Sequence, residues 1–312
     1  MALLELKGLY KSFTKGKTTF AAVDHIDLTL EQGECLGLVG ESGCGKSTTA
    51  QLILHLLKPD GGELLFDGEP LNGKTIKKAR KNLQMIFQNP VDSFDPRATL
   101  LDGVKQGLRF FDHSGKEALD RRAKEAIRVV GLKESYYKRR IHGLSGGECQ
   151  RAAIARAILA QPKLIVCDEA TSALDVSVQA QVIALLKQLQ KEQQLSYLFI
   201  THDLLLAHTM CQRIAVMYRG QIVELGTAEQ ILKAPVHPYT KMLLSCVLSP
   251  KVDKQFQFVD CTPLRPAAEG GCKFYAYCPH ATENCAIAVP SPQIVKNRQV
   301  ACFCAESCAE SE

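Results

Sequence analysis

No stretch of eighteen apolar residues occurs in the 312-residue chain, which excludes a membrane-spanning helix of ordinary length. The opening MALLELKGLYKSF lacks both a basic segment leading into a long apolar run and a small-residue cleavage site. No secretory leader is therefore expected, and the chain is expected to stay in the cytosol. Charge of one sign is not in excess: 38 Lys and Arg against 33 Asp and Glu leave +5, which permits an acidic partner without indicating nucleic acid. Paired C-x2-C knuckles, the usual zinc signature, are also missing.

What is present is enough apolar material, 46% of residues, to bury a sizeable core. The length suits one large domain with or without a smaller appendage. Thirteen cysteines divide unevenly. Six lie singly before residue 250, mostly among apolar neighbours, and read as buried thiols. The other seven crowd between Cys261 and Cys308, which in a reducing compartment favours metal over disulfide.

AAVDHIDLTL alternates like a half-buried strand, and CLGLVG is continuously apolar like a strand buried on both faces. The latter runs into Gly40-Glu41-Ser42-Gly43-Cys44-Gly45-Lys46-Ser47 and then the apolar-periodic TTAQLILHLLK. Strand, glycine-rich loop and helix form the context of a phosphate-binding loop, whose backbone N–H groups converge on the phosphates. Lys46 is placed to reach the β and γ phosphates and the Ser47 hydroxyl to ligate Mg²⁺. Cys44 occupies a variable position and is expected to be a filler.

GGELLFDGEPL reads as an edge-like hairpin, and the apolar run Leu83 to Phe87 delivers Gln88 before Asn89-Pro90 breaks the element. The basic run Lys74, Lys77, Lys78, Arg80, Lys81 reads as a solvated face. Leu119, Ala123, Ile127 and Val130 recur at helical steps in an otherwise charged segment, predicting a surface helix. In GLSGGECQRAAIARAIL, Ser145 to Glu148 precede an Ala-rich helix from about Cys149 to Leu159. Ser and Gly there suit an ordinary N-cap and an exposed anion site equally. KLIVCDE reads as a buried strand ending in Asp168, suited to hold Mg²⁺ through water, and Glu169, suited to polarise an attacking water. LSYLFI ends in Thr201-His202-Asp203, which projects a further polar group from a strand end.

Taken in order, GESGCGKS, Gln88, LSGGE, IVCDE, SALD and the His of ITHD resemble the motif set of the ATP-binding-cassette ATPases over about the first 245 residues. QMIFQNPVDSFDPR, DEATSALDVSVQAQVIALLKQLQ and APVHPYTKMLL resemble more narrowly the ATPase subunits of oligopeptide and dipeptide importers, with nickel and opine importers sharing much of the pattern. The resemblance implies an α/β fold: a mixed α/β core with an antiparallel β subdomain in residues 1–245, an inserted helical subdomain over about 89–141, and a small Cys-rich extension over 246–312. It implies that Phe13, Gly40, Ser42, Gly43, Gly45, Lys46, Ser47 and Thr48 hold ATP, with Phe13 stacking on adenine and Phe20 or a nearby apolar contact as the alternative. It further implies that Ser47, Gln88 and Asp168 serve Mg²⁺, Glu169 is the catalytic carboxylate, His202 the switch histidine and Asp175 the link between sites. Ser145, Gly146, Gly147 and Glu148 would contact the ATP held by a second cassette, so the working unit would be a dimer.

Cys272, Cys278, Cys285 and Cys302 form a C-x5-C-x6-C-x16-C array suited to soft metal. It resembles the cysteine motif of peptide-importer ATPases, some of which carry a 4Fe-4S cluster. Zinc and unligated thiols are the alternatives, Cys304 and Cys308 the substitutes for Cys302, and Cys261 an ordinary thiol. The implied partners are a second ATPase subunit, two membrane permeases and an extracytoplasmic peptide-binding protein, with the chain on the cytoplasmic face of the inner membrane. A soluble cassette protein acting on nucleic acid is the reading from another class. A single cassette, no long coiled-coil insertion and the modest charge count against it, and no direct nucleic-acid partner is expected.

Overall fold

The computed structural model describes residues 2–108, 111, 115–172, 174–248 and 262–310. Cys261 lies outside them. Two long strands, β1 (Ala2–Lys15) and β2 (Thr18–Glu31), form an antiparallel hairpin. Leu4, Leu6 and Leu9 of β1 and Ile26, Leu28 and Leu30 of β2 are buried; a register shift between Leu6 and Leu9 absorbs the odd step in a period of two. After β3 (Cys35–Val39) and α1 (Lys46–Ile53), β4 (Gly61–Phe66) and β5 (Glu69–Pro70) complete a four-stranded sheet in the order β2-β1-β4-β5. The short hairpin expected from GGELLFDGEPL thus forms the edge of this sheet.

The chain continues through α2 (Ile76–Ala79) and β6 (Leu83–Ile86) into a helical segment with α3 (Leu100–Gln106) and α4 (Lys116–Val129). Ala123, Ala126 and Ile127 of α4 are buried and its charged residues face outward, as the helical spacing predicts. α5 (Gly146–Leu159) follows, buried on most of its circumference; its four alanines let neighbouring elements approach closely. Arg156 of α5 lies over the Phe94 ring at 4.3 Å and donates to the Ser93 hydroxyl at 2.8 Å, tying the inserted segment to the core.

β7 (Leu164–Asp168), α6 (Val176–Gln193), β8 (Ser196–Thr201), α7 (Leu204–Met210), β9 (Arg213–Tyr218) and β10 (Gln221–Thr227) finish the cassette core. β9, β3, β8, β7 and β6 lie side by side in that order, all parallel. Every residue of β3 and β8 is buried, which is why CLGLV and the YLFI centre of β8 run without a polar alternation.

Beyond α8 (Ala228–Lys233) and α9 (Pro238–Leu248), the tail contributes α10 (Glu283–Ile287), β11 (Gln293–Val295), β12 (Arg298–Val300) and α11 (Ala305–Glu310). β12 pairs antiparallel with β10, so the stretch expected as an appended module extends the main sheet, in the order β11-β12-β10-β9-β3-β8-β7-β6. The seam is polar and buried: Glu224 of β10 accepts from Arg298 Nη1 at 3.3 Å and from the backbone N–H of Val236 and of His237, both at 2.9 Å. Removing one partner of such a pair would strand a charge away from water, a strongly unfavourable state. Among the described residues no helix is long and apolar enough to cross a membrane.

Candidate functional site

Parallel strands all end at the same edge of a sheet, so the residues just beyond β3, β8, β7 and β6 share one crevice. This placement gathers most of the expected groups. The phosphate loop follows β3 and ends at α1. Gly45 has φ +114°, and a Cβ there would lie 2.1 Å from the Ala22 carbonyl oxygen; a Cβ at Gly40 would lie 2.2 Å from that of Met217. Only glycine fits at these two positions, and the loop is clamped between β2 and β9 as a result.

Lys46 is buried, and its ammonium donates to the carbonyls of Gly40 at 2.7 Å and Glu41 at 2.8 Å, arching over the loop where phosphates would sit. Ser47 donates its hydroxyl to Asp168 Oδ1 at 3.1 Å. Burial raises the Asp168 carboxyl above its usual range, the state that a nearby cation would relieve. A hydroxyl and a carboxylate at this separation, beside a phosphate cradle, are the hard oxygen donors that Mg²⁺ takes. Thr48 is partly buried one residue further along α1. Cys44 is buried with its thiol 3.8 Å from the Lys46 nitrogen, in keeping with a filler.

Glu169 is the centre of the second group. It holds φ at +45°, a left-handed conformation unusual for a side chain of this size, and its N–H donates to Ile200 O at 3.0 Å. This turn at the end of β7 presents the carboxylate to both neighbouring strands. Gln88, just past β6, donates its amide to Oε2 at 2.8 Å, and His202, just past β8, brings Nδ1 within 3.5 Å of Oε1. A carboxylate held between an amide and an imidazole beside a phosphate cradle can orient water and accept its proton.

Two expected members lie elsewhere. Ser145 caps α5 in a capping box: its hydroxyl accepts from the Glu148 N–H at 3.3 Å, and its own N–H donates to Glu148 Oε2 at 2.8 Å. That backbone N–H holds the Glu148 carboxyl below its usual range. Gly146 and Gly147 face Leu174 and Val178 beside the start of α6. Among the described residues, none of the hydrogen-bond partners of Ser145 to Glu148, nor the atoms nearest the two glycines, belongs to the phosphate loop of the same chain. Asp175 caps α6, accepting from Val178 N at 2.9 Å and Ser177 Oγ at 2.7 Å, and these donors keep it well ionised. Ala173, two residues before it, lies outside the described residues.

Phe13 and Phe20 are cross-strand partners with ring centroids 6.2 Å apart, and the Lys11 ammonium stands 5.6 Å from the Phe13 ring. The two candidates for a flat stacking surface are therefore one patch, with Phe20 half exposed.

Among the described residues the tail thiols neighbour one another. Cys278, Cys285, Cys302 and Cys308 are buried, Cys272 and Cys304 partly so, and the Cys272 N–H donates to Cys285 O at 2.8 Å. Cys302 donates its thiol to Cys308, and this bond together with burial raises it; burial pushes Cys278 up to about 12. The donor chemistry suits a soft metal, which would offset these shifts. Its placement here does not: among the described residues no three His, Cys, Asp or Glu side chains are grouped to hold an ion. Sequence reasoning missed Tyr239, whose hydroxyl accepts the Glu41 N–H at 3.2 Å. Its only signal was VHPYT itself, a polar and aromatic cluster at the start of a helix.

Residues 23–172 match the profile of the ABC transporter family, and residues 223–285 that of the oligopeptide/dipeptide transporter C-terminal region. The chain is 45% identical over 257 residues to the oligopeptide transport ATP-binding protein OppF of Bacillus subtilis, covering 80% of this chain and 84% of that one. It is 41% identical over 310 residues to OppF of Escherichia coli, covering 96% and 92%. Against the di/tripeptide transport ATP-binding protein DppF of Pseudomonas aeruginosa the identity is 38% over 310 residues, covering 96% and 94%. Among solved structures, a dimeric ATP-binding cassette in a post-hydrolysis state with ADP and Pi superposes with a TM-score of 0.66 at 30% identity, over 72% of this chain and 98% of that one.

Proposed function

This chain belongs to the ABC transporter family, on its oligopeptide and dipeptide branch, and on that premise we propose that it is the ATP-hydrolysing subunit powering import of short peptides across the cytoplasmic membrane. The observation that carries the catalytic part is the convergence of Gln88, Glu169 and His202 beside the Ser47–Asp168 pair and the Lys46 loop. Phe13, Gly40, Ser42, Gly43, Gly45, Lys46, Ser47 and Thr48 hold the nucleotide; Lys46 leaves its carbonyl partners for the phosphates. Ser47, Gln88 and Asp168 would hold a divalent cation, which would supply neutralisation of phosphate charge. Glu169 orients the attacking water and takes its proton, while His202 donates to the γ phosphate.

Ser145, Gly146, Gly147 and Glu148 complete the site of a second cassette, and Asp175 links the two. That none of the partners found for this helix start among the described residues lies on its own phosphate loop supports that division, as does the dimeric cassette among the similar structures. The remaining partners are two membrane permeases and an extracytoplasmic binding protein, with this subunit peripheral on the cytoplasmic face. The relatives' names favour peptides over nickel chelates or opines. Isolated gently from its own cells, the chain is expected to bring down two integral membrane subunits, and its deletion to abolish uptake of labelled di- or oligopeptide. A complex lacking permeases, or unimpaired peptide uptake, would count against the reading.

We further propose that Cys272, Cys278, Cys285 and Cys302 bind a 4Fe-4S cluster with a structural role. Their spacing and thiolate chemistry support this, and Cys302 must turn away from Cys308 to join. Anaerobically purified protein is expected to carry about four iron and four sulfide per chain, lost on Cys272→Ser. Zinc without iron would reject the cluster.

A further inference from the structure

The start of the phosphate loop is held from two sides. The Glu41 carbonyl accepts from Lys46 at 2.8 Å, and the Glu41 N–H donates to Tyr239 Oη at 3.2 Å. Both partners are buried. When Lys46 turns to bound phosphate the first tether is released. The second, from a ring anchored in α9, does not depend on the ligand.

The Tyr239 ring has little freedom of its own. Its N–H donates to His237 Nδ1 at 3.0 Å, and the His237 N–H is fixed by the buried Glu224 carboxylate that also meets Arg298 of β12. On its flank stands Phe274, from the segment between Cys272 and Cys278, with centroids 5.7 Å apart at 65°. Phe274 also meets Tyr218, edge-on at 5.4 Å, at the end of the strand whose Met217 carbonyl closes over Gly40. Glu41, Cys44 and Phe274 line one cleft of about 400 Å³.

We infer that Tyr239 is a positioning residue for the phosphate loop, and that the thiol-bearing tail segment sets nucleotide affinity through Phe274 and this ring. The tether fixes the peptide plane of Glu41, so the following N–H groups are already aimed before ATP arrives and less ordering is needed on binding. This inference rests on the nucleotide-binding reading of the Lys46 loop.

Tyr239→Phe removes only the hydroxyl. In the full-length protein, titrated with MgATP by calorimetry and assayed for ATP turnover, it is expected to raise Kd and KM about threefold to tenfold, the value of one neutral hydrogen bond, with kcat within about twofold. Phe274→Leu keeps the hydroxyl and loosens the ring, so it is expected to raise Kd by about twofold to threefold. The double variant should bind no more weakly than Tyr239→Phe alone, because both act through one bond. An unchanged Kd in either single variant with a wild-type unfolding midpoint, a fall in kcat without a change in KM, or additive effects would overturn the inference. Should Tyr239→Phe fail to fold, an unchanged Kd in Phe274→Leu still overturns it. Failure of the wild-type chain to bind MgATP at all, or retention of binding by Lys46→Ala, would instead sink the nucleotide reading.

Discussion

Glu169→Gln is expected to lower ATP turnover by about 10²- to 10³-fold while leaving MgATP affinity within a few fold, so that the variant accumulates with ATP bound. The substitution preserves the geometry of the crevice. Gln is isosteric, its carbonyl oxygen still accepts from the Gln88 amide, and the backbone bond to Ile200 O is untouched. What disappears is the capacity to accept a proton from water. Single-turnover hydrolysis and nucleotide retention on the protein with its membrane partners provide the check. Unimpaired turnover would remove Glu169 from the chemistry and return the crevice to a binding role.

The second large effect concerns the start of α5, where two readings coexist. Ser145 and Glu148 make a complete capping box, so Ser145→Ala costs about 1 kcal/mol of stability whatever else the residue does. A Cβ on Gly147 would approach Val178 Cγ1 to 2.5 Å, so any side chain there disturbs α6 as well. Gly146 is the position that separates folding from assembly. A Cβ there meets only Leu174 Cδ2 at an ordinary 3.7 Å, and an acidic residue at the first position of a helix is favoured by the helix dipole.

Gly146→Asp is therefore expected to leave the thermal unfolding of the monomer nearly unchanged. Set against the γ phosphate bound by a second cassette, its charge costs several kcal/mol, enough to reduce turnover more than about 100-fold. Size-exclusion chromatography with ATP in the Glu169→Gln background should show a closed dimer that the added Gly146→Asp abolishes. A dimer that persists, with turnover intact in the single variant, would leave α5 with its cap as its whole purpose.

Much of the crevice was legible because its parts are short-range. A buried parallel strand must be continuously apolar, and a polar residue immediately after it must emerge at the carboxyl edge. Gln88, Asp168, Glu169 and His202 each carried that local signature, as did the loop from Gly40 to Ser47. Even the ambiguity of Ser145 was readable: the cap expected from its residue type is present in the monomer, and none of the partners found for this group among the described residues lies on its own loop. The left-handed turn at Glu169 was not readable, because that conformation is imposed by the pairing of β7 with β8 and not by the residue.

The tail was harder for a physical reason. Its cysteines announce a site by composition, yet which thiols meet depends on how β12 docks on β10 and how α11 packs on β11. Cys302 meets Cys308 here, a contact that spacing alone could not distinguish from a shared ligand shell. Likewise VHPYT carried no hint that its tyrosine reaches a loop 198 residues earlier.

The order of the polar strand ends and the apolar faces of the helices follow from the sequence, because each is decided within a few residues by backbone sterics and burial, whereas the exclusion of a side chain at Gly40 and Gly45 comes from the distant carbonyls of Met217 and Ala22. Whether Gln88, Glu169 and His202 touch, which thiols pair, and that the tail joins the main sheet and reaches the phosphate loop through Tyr239 were decided only in three dimensions. Those contacts depend on strand order and on buried polar bonds between distant segments, and such bonds form only once the core has excluded water.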